Sequence, residues 1–290
     1  MRDSGLISGL RDRLAEAGLS GSFLVRNLHT GQEIGIDPDV AYPIASLVKV
    51  PLAIAVLEAV RTGRIDGAQM LDITPDPDNA PPVGVGRFAH PARIAVEDLV
   101  YLAVAISDNA AADALFALVP PSEVDCVLAD AGIKGIAVRH PMRDLLDVFP
   151  FAHMLAIRAR TPGGGHPLAR LDISRANVGT ARALADLLQE LWIPSAIDPC
   201  VAARVRALMG DGVLQRRLGP DFVTDATSWA SKSGTLLNLR HDMGVVEHED
   251  GEGYAIVALT ESTVPAEAQP AVDVLIGRVA RALHDHLRES

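Results

Sequence analysis

Lysine is almost absent from this chain. Only Lys49, Lys134 and Lys232 occur among its 26 basic residues, and the rest are arginines. An amine can give up its proton near neutral pH when its surroundings lower its pKa, and a guanidinium cannot. A retained lysine is therefore a candidate for proton chemistry. Cysteine is scarce as well: Cys126 and Cys200 have no CxxC partner and no histidine cluster at ligand spacing, so both read as ordinary thiols and no metal site or cofactor is expected. Aromatic residues, at 4%, are too few for a platform on which bases stack. Basic charge is outnumbered, 26 residues against 37 acidic, and the net charge of −11 repels phosphate backbones and anionic lipid surfaces. Nucleic acid and membrane are thereby excluded as partners. No apolar run approaches the roughly 20 residues that span a bilayer. The first residues, MRDSGLISGLRDRLAEAGLSG, have neither a continuous apolar core nor a small-residue cleavage site, so a soluble, cytoplasmic protein is expected.

What is present is enough apolar residue, 49% of 290, for one large domain or two joined lobes. Periodicity predicts an amphipathic helix over about residues 5–18. A hairpin follows, GSFLVRNL and QEIGID, turning at His29-Thr30-Gly31. The segment YPIASLVKVPLAIAVLEAVRTG suits a buried helix that starts near Ser46 and stops at Gly63, with Pro51 removing one early hydrogen bond. A Pro/Gly-rich loop, TPDPDNAPPVGVGRF, precedes two helices that flank Ser107-Asp108-Asn109. Residues 139–172 read as a long irregular excursion holding a short helix, and helices resume at about 175–191 and 199–209. Strand patterns return in TSWASKSGTL, DMGVVEHE and GYAIVALTES, before a last helix over about 265–287. Strands at both ends enclosing a helical middle predict an α+β fold, an α/β sandwich plus an all-α lobe. Residues 1–45 and 211–290 form a five-stranded antiparallel sheet flanked by the N- and C-terminal helices, and residues 46–210 form the inserted helical lobe.

Three short motifs carry the chemistry: Ser46-Leu47-Val48-Lys49, Ser107-Asp108-Asn109 and Lys232-Ser233-Gly234. By chance the first occurs about 0.15 times in such a chain and each of the others roughly 0.02 times, so their joint occurrence is improbable. Two of the three lysines fall inside them. Residues three apart on a helix share a face, which brings the Lys49 amine to the Ser46 hydroxyl as a base beside a nucleophile. A serine at a helix start also aims its backbone N–H at a developing oxyanion, and the N–H of Thr235 is the candidate second donor. Gly234 leaves room for substrate beside the strand. Ser107 would return a proton to the leaving group, with Lys232 holding its hydroxyl and attracting a substrate carboxylate. Asn109 would bind a substrate amide. Arg240 would meet a substrate carboxylate or form a plain surface ion pair.

These motifs resemble the S-x-x-K, S-D-N and K-T-G signatures of the penicillin-recognising serine enzymes. The chain is most similar to the class A β-lactamases: SLVKVPLAIAVLEAV, AISDNAAADALF, LGPDFVTDATSWASKSGT and HDMGVVEHEDGEGYAIVALTES all resemble that family's segments, in the same order. Ser233 stands where the family has threonine. The resemblance implies a β-lactamase/transpeptidase-like fold with its site between two lobes. It also implies an acyl-enzyme on Ser46 and no metal or cofactor, with a small-molecule acyl substrate, a β-lactam by family default and an ester or other amide as the alternatives.

One family element is missing. Class A enzymes release the acyl group with a glutamate in an E-x-x-L-N pattern on an omega-shaped loop, and residues 137–171 contain no glutamate. The acidic residues there are Asp144 and Asp147. Asp144 is the candidate for a substitute base, beside the simpler reading of a solvated loop carboxylate. Asp172 resembles the family's loop-closing aspartate, with Arg139 or Arg143 as its candidate partner. Three routes stay open: another group activates water, a different nucleophile takes the acyl group, or release is slow and the protein binds or senses its acyl donor.

Overall fold

The structure, a computed structural model, describes residues 2–77, 83–145, 152–157, 159–264 and 269–290. In chain order, helix α1 (Arg2–Glu16) leads into the hairpin β1 (Leu19–Asn27) and β2 (Glu33–Ile36), then β3 (Ala41–Pro43). A 3₁₀ turn, Ala45–Val48, runs directly into α2 (Lys49–Arg61). Next come β4 (Met70–Ile73), β5 (Ala92–Ala95), α3 (Val96–Val104), α4 (Asn109–Leu118), α5 (Pro121–Asp130) and β6 (Ile136–Ala137). The short α6 (Ala152–Ala156) is followed by β7 (Val178–Thr180), α7 (Ala181–Trp192), α8 (Pro199–Gly210) and α9 (Gly219–Phe222). Strands β8 (Thr227–Leu236), β9 (Leu239–His248) and β10 (Gly253–Ser262) and helix α10 (Pro270–Arg288) complete the chain.

Among the described residues the main sheet has five antiparallel strands in the order β2-β1-β10-β9-β8, as the sequence pattern predicts. The first and last parts of the chain pair at its centre, where Phe23 lies opposite Ala258. Alternation along the strands divides the apolar side chains between two cores. Phe23, Val25 and Ile256 pack with Leu10 of α1 and with Ile276 and Leu283 of α10. Leu24, Val245 and Val257 point the other way, into the larger core built with α2, α7 and α8. The sheet thus places its last strand, β8, as an exposed edge on the side of the 3₁₀ turn.

Several boundaries differ from the pattern-based expectation for physical reasons. The helix expected from residue 175 begins at Ala181, because Val178–Thr180 pairs with Ala41–Pro43 and Thr180 caps the helix by accepting the Ala183 N–H at 3.0 Å. Pro51 is the third residue of α2, where no N–H has an intrahelical partner, so its missing donor disrupts nothing. Helix α5 and the β4–β5 hairpin are additional to the predicted elements. Among the described residues, no helix is long and apolar enough to cross a membrane.

The irregular excursion does contain a short helix, α6. Beyond it the segment is fastened to the end of the sheet: the Thr161 N–H donates to the Glu261 carboxylate at 3.0 Å, the Thr161 hydroxyl donates to the same group, and Arg160 reaches it at 3.3 Å. The Asn238 side-chain amide, in the β8–β9 turn, donates to the Ala156 carbonyl at 3.3 Å.

Because the two cores share one sheet, truncation on either face should weaken the same cooperative unit. Phe23→Ala should lower stability by about 3–5 kcal/mol and Leu24→Ala by about 2–5 kcal/mol, both in a single urea transition. Two separate transitions would show that the faces unfold independently.

Candidate active site

Two segments distant in sequence meet at one amine. The Lys49 Nζ lies 2.6 Å from the Ser107 carbonyl, 2.7 Å from Asn109 Oδ1, and 3.4 Å from both the Ser46 and the Ser107 hydroxyl oxygens. Its side chain is fully buried. Burial first, and then the Lys232 charge, hold its pKa well below the ordinary lysine value, against the opposing charges of Asp108 and Asp113. A neutral amine has two N–H donors and one lone pair. The two carbonyl oxygens take the donors, which leaves the lone pair for the hydroxyls.

The local sequence explains this convergence. Ser46 sits in the 3₁₀ turn and Lys49 is the first residue of α2, so the spacing of three puts both on one side. Ser46 is half-buried. Ala45 before it has φ 47° and Ser107 has φ 64°, and Leu237 in the β8–β9 turn has φ 51°. These left-handed non-glycine conformations are costly and persist only where surrounding contacts enforce them.

Asp108 supplies much of that enforcement. Its Oδ1 caps α4 by accepting the Ala111 N–H at 3.1 Å, and its Oδ2 accepts the N–H of Val85. Gly84, at φ 106°, makes this clamp possible, since a Cβ there would lie 2.1 Å from Asp108 Oδ2. One turn later, Asp113 accepts the N–H groups of Met142 and Arg143 at 2.7 and 3.2 Å, fastening the start of the irregular excursion to α4.

Strand β8 closes the site from the other side. The Lys232 amine donates to the Ser107 hydroxyl at 2.9 Å and to the Ser233 carbonyl at 3.0 Å. Burial lowers its pKa to about 7, with Asp242 opposing and Arg217 reinforcing the shift. The Ser107 hydroxyl therefore lies between two lysine amines. Gly234 has a different reason from the one expected: its bare Cα faces the turn that carries Ser46, and a Cβ would lie 3.0 Å from the Ile44 carbonyl and 3.3 Å from Leu47. Thr235 is exposed.

Three further residues shape the site without standing out in the sequence. Arg217 donates to the carbonyls of Gly234 and His241 at 3.1 and 2.7 Å and to the Thr235 hydroxyl at 2.7 Å, and Asp273 of α10 holds it at 3.0 Å. His241 accepts the Thr260 N–H on Nδ1 at 3.0 Å and so donates from Nε2 to the Pro43 carbonyl at 2.8 Å. Burial lowers its pKa to about 3, and as a neutral ring it ties β3 to the sheet just before Ser46. Asp242 is fully buried, accepts the Leu218 N–H at 3.1 Å, and has its pKa raised by burial to about 7. The only sequence signal for His241 and Asp242 is their place in HDMGVV, and the only one for Arg217 is that of an arginine in a loop.

Other candidates fall outside this cluster. Arg240 is fully buried and donates to the carbonyls of Leu237 and Leu239 at 3.0 and 3.1 Å, so it does not stand at the surface. Asp144 is exposed and lines a cleft of about 460 Å³ with His140, Pro167, Leu168, Ala169, Arg170 and Arg175. None of Ser46, Lys49, Ser107 or Lys232 lines that cleft. Asp147 lies outside the described residues. Asp172 accepts the N–H and hydroxyl of Ser174 at 2.9 and 2.8 Å, which lowers its pKa. Arg139 turns instead to the Ile173 and Ala176 carbonyls, and among the described residues neither Arg139 nor Arg143 forms an ion pair with Asp172.

A serine beside a buried, proton-poor lysine, backed by a second serine and a second lysine, defines a serine acyl-transfer site between a sheet edge and a helical lobe. Residues 6–287 match the model of the β-lactamase enzyme family. The chain belongs to that family, and it is a β-lactamase-like serine hydrolase by class. It is 49% identical, over 310 aligned positions covering 100% of this chain and 99% of the relative, to the β-lactamase regulatory protein BlaB of Streptomyces cacaoi. Among solved structures, the fold is similar to a β-lactamase from Sphaerobacter thermophilus, with 22% identity, 99% and 98% of the two chains covered, and a TM-score of 0.78. A mutant of PBP-A, solved as an acyl-enzyme with penicillin G, is 20% identical, with 99% and 97% covered and a TM-score of 0.77.

Asp108→Ala removes a helix cap and strands the Val85 N–H, effects of about 0.5–2 and about 1–3 kcal/mol. Urea denaturation should show a loss of about 2–4 kcal/mol; a change below about 0.5 kcal/mol would mean that the clamp contributes little.

Proposed function

We propose that Ser46 is acylated by a β-lactam-type acyl donor through Lys49, and that release of the acyl group is slow, so that the modified protein itself is the functional product. The Lys49 lone pair takes the Ser46 proton as Oγ bonds to the carbonyl carbon. Collapse of the tetrahedral adduct breaks the bond to the leaving nitrogen, which receives the Ser107 proton, and Lys49 restores that proton. Lys232 orients Ser107 and offers its amine to a substrate carboxylate.

The observation that carries this reading is the occupation of both Lys49 donors by the Ser107 and Asn109 carbonyls, which directs its basic lone pair at the hydroxyls. Slow release is supported by the lack of any glutamate in residues 137–171 and by the similarity to a protein named as a β-lactamase regulator. Family membership favours a second reading, full hydrolytic turnover.

Intact-mass spectrometry after mixing with a penicillin, a cephalosporin and a simple acyl ester distinguishes the two. The expected result is a lasting adduct on the wild type and none on Ser46→Ala. Rapid loss of the adduct with product formation would establish turnover instead, and labelling retained in Ser46→Ala would remove Ser46 from the mechanism. The acylation rate should fall as pH drops through the lowered Lys49 pKa, because protonation occupies the lone pair. Lys49→Arg should slow acylation by about 10²–10⁴-fold.

A further inference from the structure

Far from Ser46, two histidines on different elements point their ring nitrogens at each other. His248 ends β9 and His284 lies in the second half of α10, and their Nε2 atoms are 3.1 Å apart. The pair is 36 residues apart in sequence, so no ligand spacing announces it. We propose that His248 and His284 form a two-imidazole chelating site for a divalent transition-metal cation of the Cu2+, Ni2+ or Zn2+ type, joining the end of β9 to α10.

The separation fits a shared cation. Two imidazole nitrogens about 2.0–2.1 Å from one metal stand about 2.9 Å apart at a right angle and about 3.3 Å apart at the tetrahedral angle. The observed 3.1 Å lies between these values, so little movement is needed.

The rings are also fixed in advance. His284 Nδ1 is 2.9 Å from Asp285 Oδ1. A proton on Nδ1 shared with that carboxylate leaves Nε2 as the lone-pair end, the arrangement in which a carboxylate orients a metal-binding histidine. Tyr254 packs edge-on against both rings and Phe222 against His284, while the two imidazoles stack with centroids 5.2 Å apart. His284 is buried, but His248 is half-exposed and gives the entry path.

The charged neighbours balance: Arg281 is paired with Asp285 and Arg288 with Asp250. Without metal, the His248 Nε2 proton fills the gap to His284. On metal binding that proton moves to His248 Nδ1, and no net charge leaves the protein. Two ligands are fewer than a structural zinc site uses, so water completes the coordination. Imidazole ligation without thiolate selects Cu2+, Ni2+ or Zn2+ over Mg2+ or Ca2+.

The test uses the full chain, titrated near pH 7.5 with ZnCl2 and with CuCl2, followed by calorimetry and thermal unfolding. The expected result is saturable one-to-one binding and a melting temperature raised by several degrees at saturation. His248→Gln should weaken binding by at least about tenfold and remove the shift, and Asp285→Asn should weaken it by about 10–100-fold. With Cu2+, electron paramagnetic resonance should report two nitrogen ligands in the wild type and one in His248→Gln. No saturable binding to the wild type, or binding unchanged by His248→Gln, would overturn the proposal.

Discussion

An amine buried without water must find acceptors in the protein, and Lys49 finds its two nearest in a main-chain carbonyl and an amide side chain of the same short segment. That requirement organises the site. The Ser107 carbonyl can point at the amine only if Ser107 adopts its left-handed backbone, and that backbone persists because Asp108 grips both α4 and the loop at Val85. Ser46 is then held where the remaining lone pair points. Removing the amine would take a partner from the buried Ser107 carbonyl, so the lysine stabilises the architecture as well as serving the chemistry.

Much of this arrangement was legible before any coordinates. The strands β8, β9 and β10 and the first hairpin read as short apolar runs bounded by turn residues, which define the sheet, and the three motifs mark Ser46, Lys49, Ser107, Asn109 and Lys232 as one constellation. Features that depend on pairing between remote segments were not legible. Val178–Thr180 reads as the start of a helix and becomes a strand because Ala41–Pro43 lies beside it. Arg240 reads as an exposed binding residue and is buried because the turn around it supplies carbonyl acceptors. His241 and Asp242 take their positions from the register of β8 on β9, where Gly234 faces His241 and Ser233 faces Asp242, while Arg217 reaches the site from the loop before α9.

The excursion after Ala137 departs furthest from the family pattern, and its anchoring is informative. It is tied at one end to α4 through Asp113 and at the other to Glu261 at the rim of the sheet. Beside these polar ties, Met142, Leu168 and Leu171 pack into the larger core. On the proposed reading the groups that form an ester at Ser46 are present, while the segment in which the family carries its hydrolytic base holds no glutamate.

The contact between Gly234 and the Ile44 carbonyl has a further meaning. It is a mechanical stop: β8 settles against the nucleophile's turn until bare Cα meets the Ile44 main chain and the flank of Leu47. The gap between β8 and that turn is thereby set largely by backbone dimensions. Side chains around the gap can diverge widely and alter what fits beside it, while the gap itself keeps the same gauge as long as position 234 carries nothing beyond hydrogen.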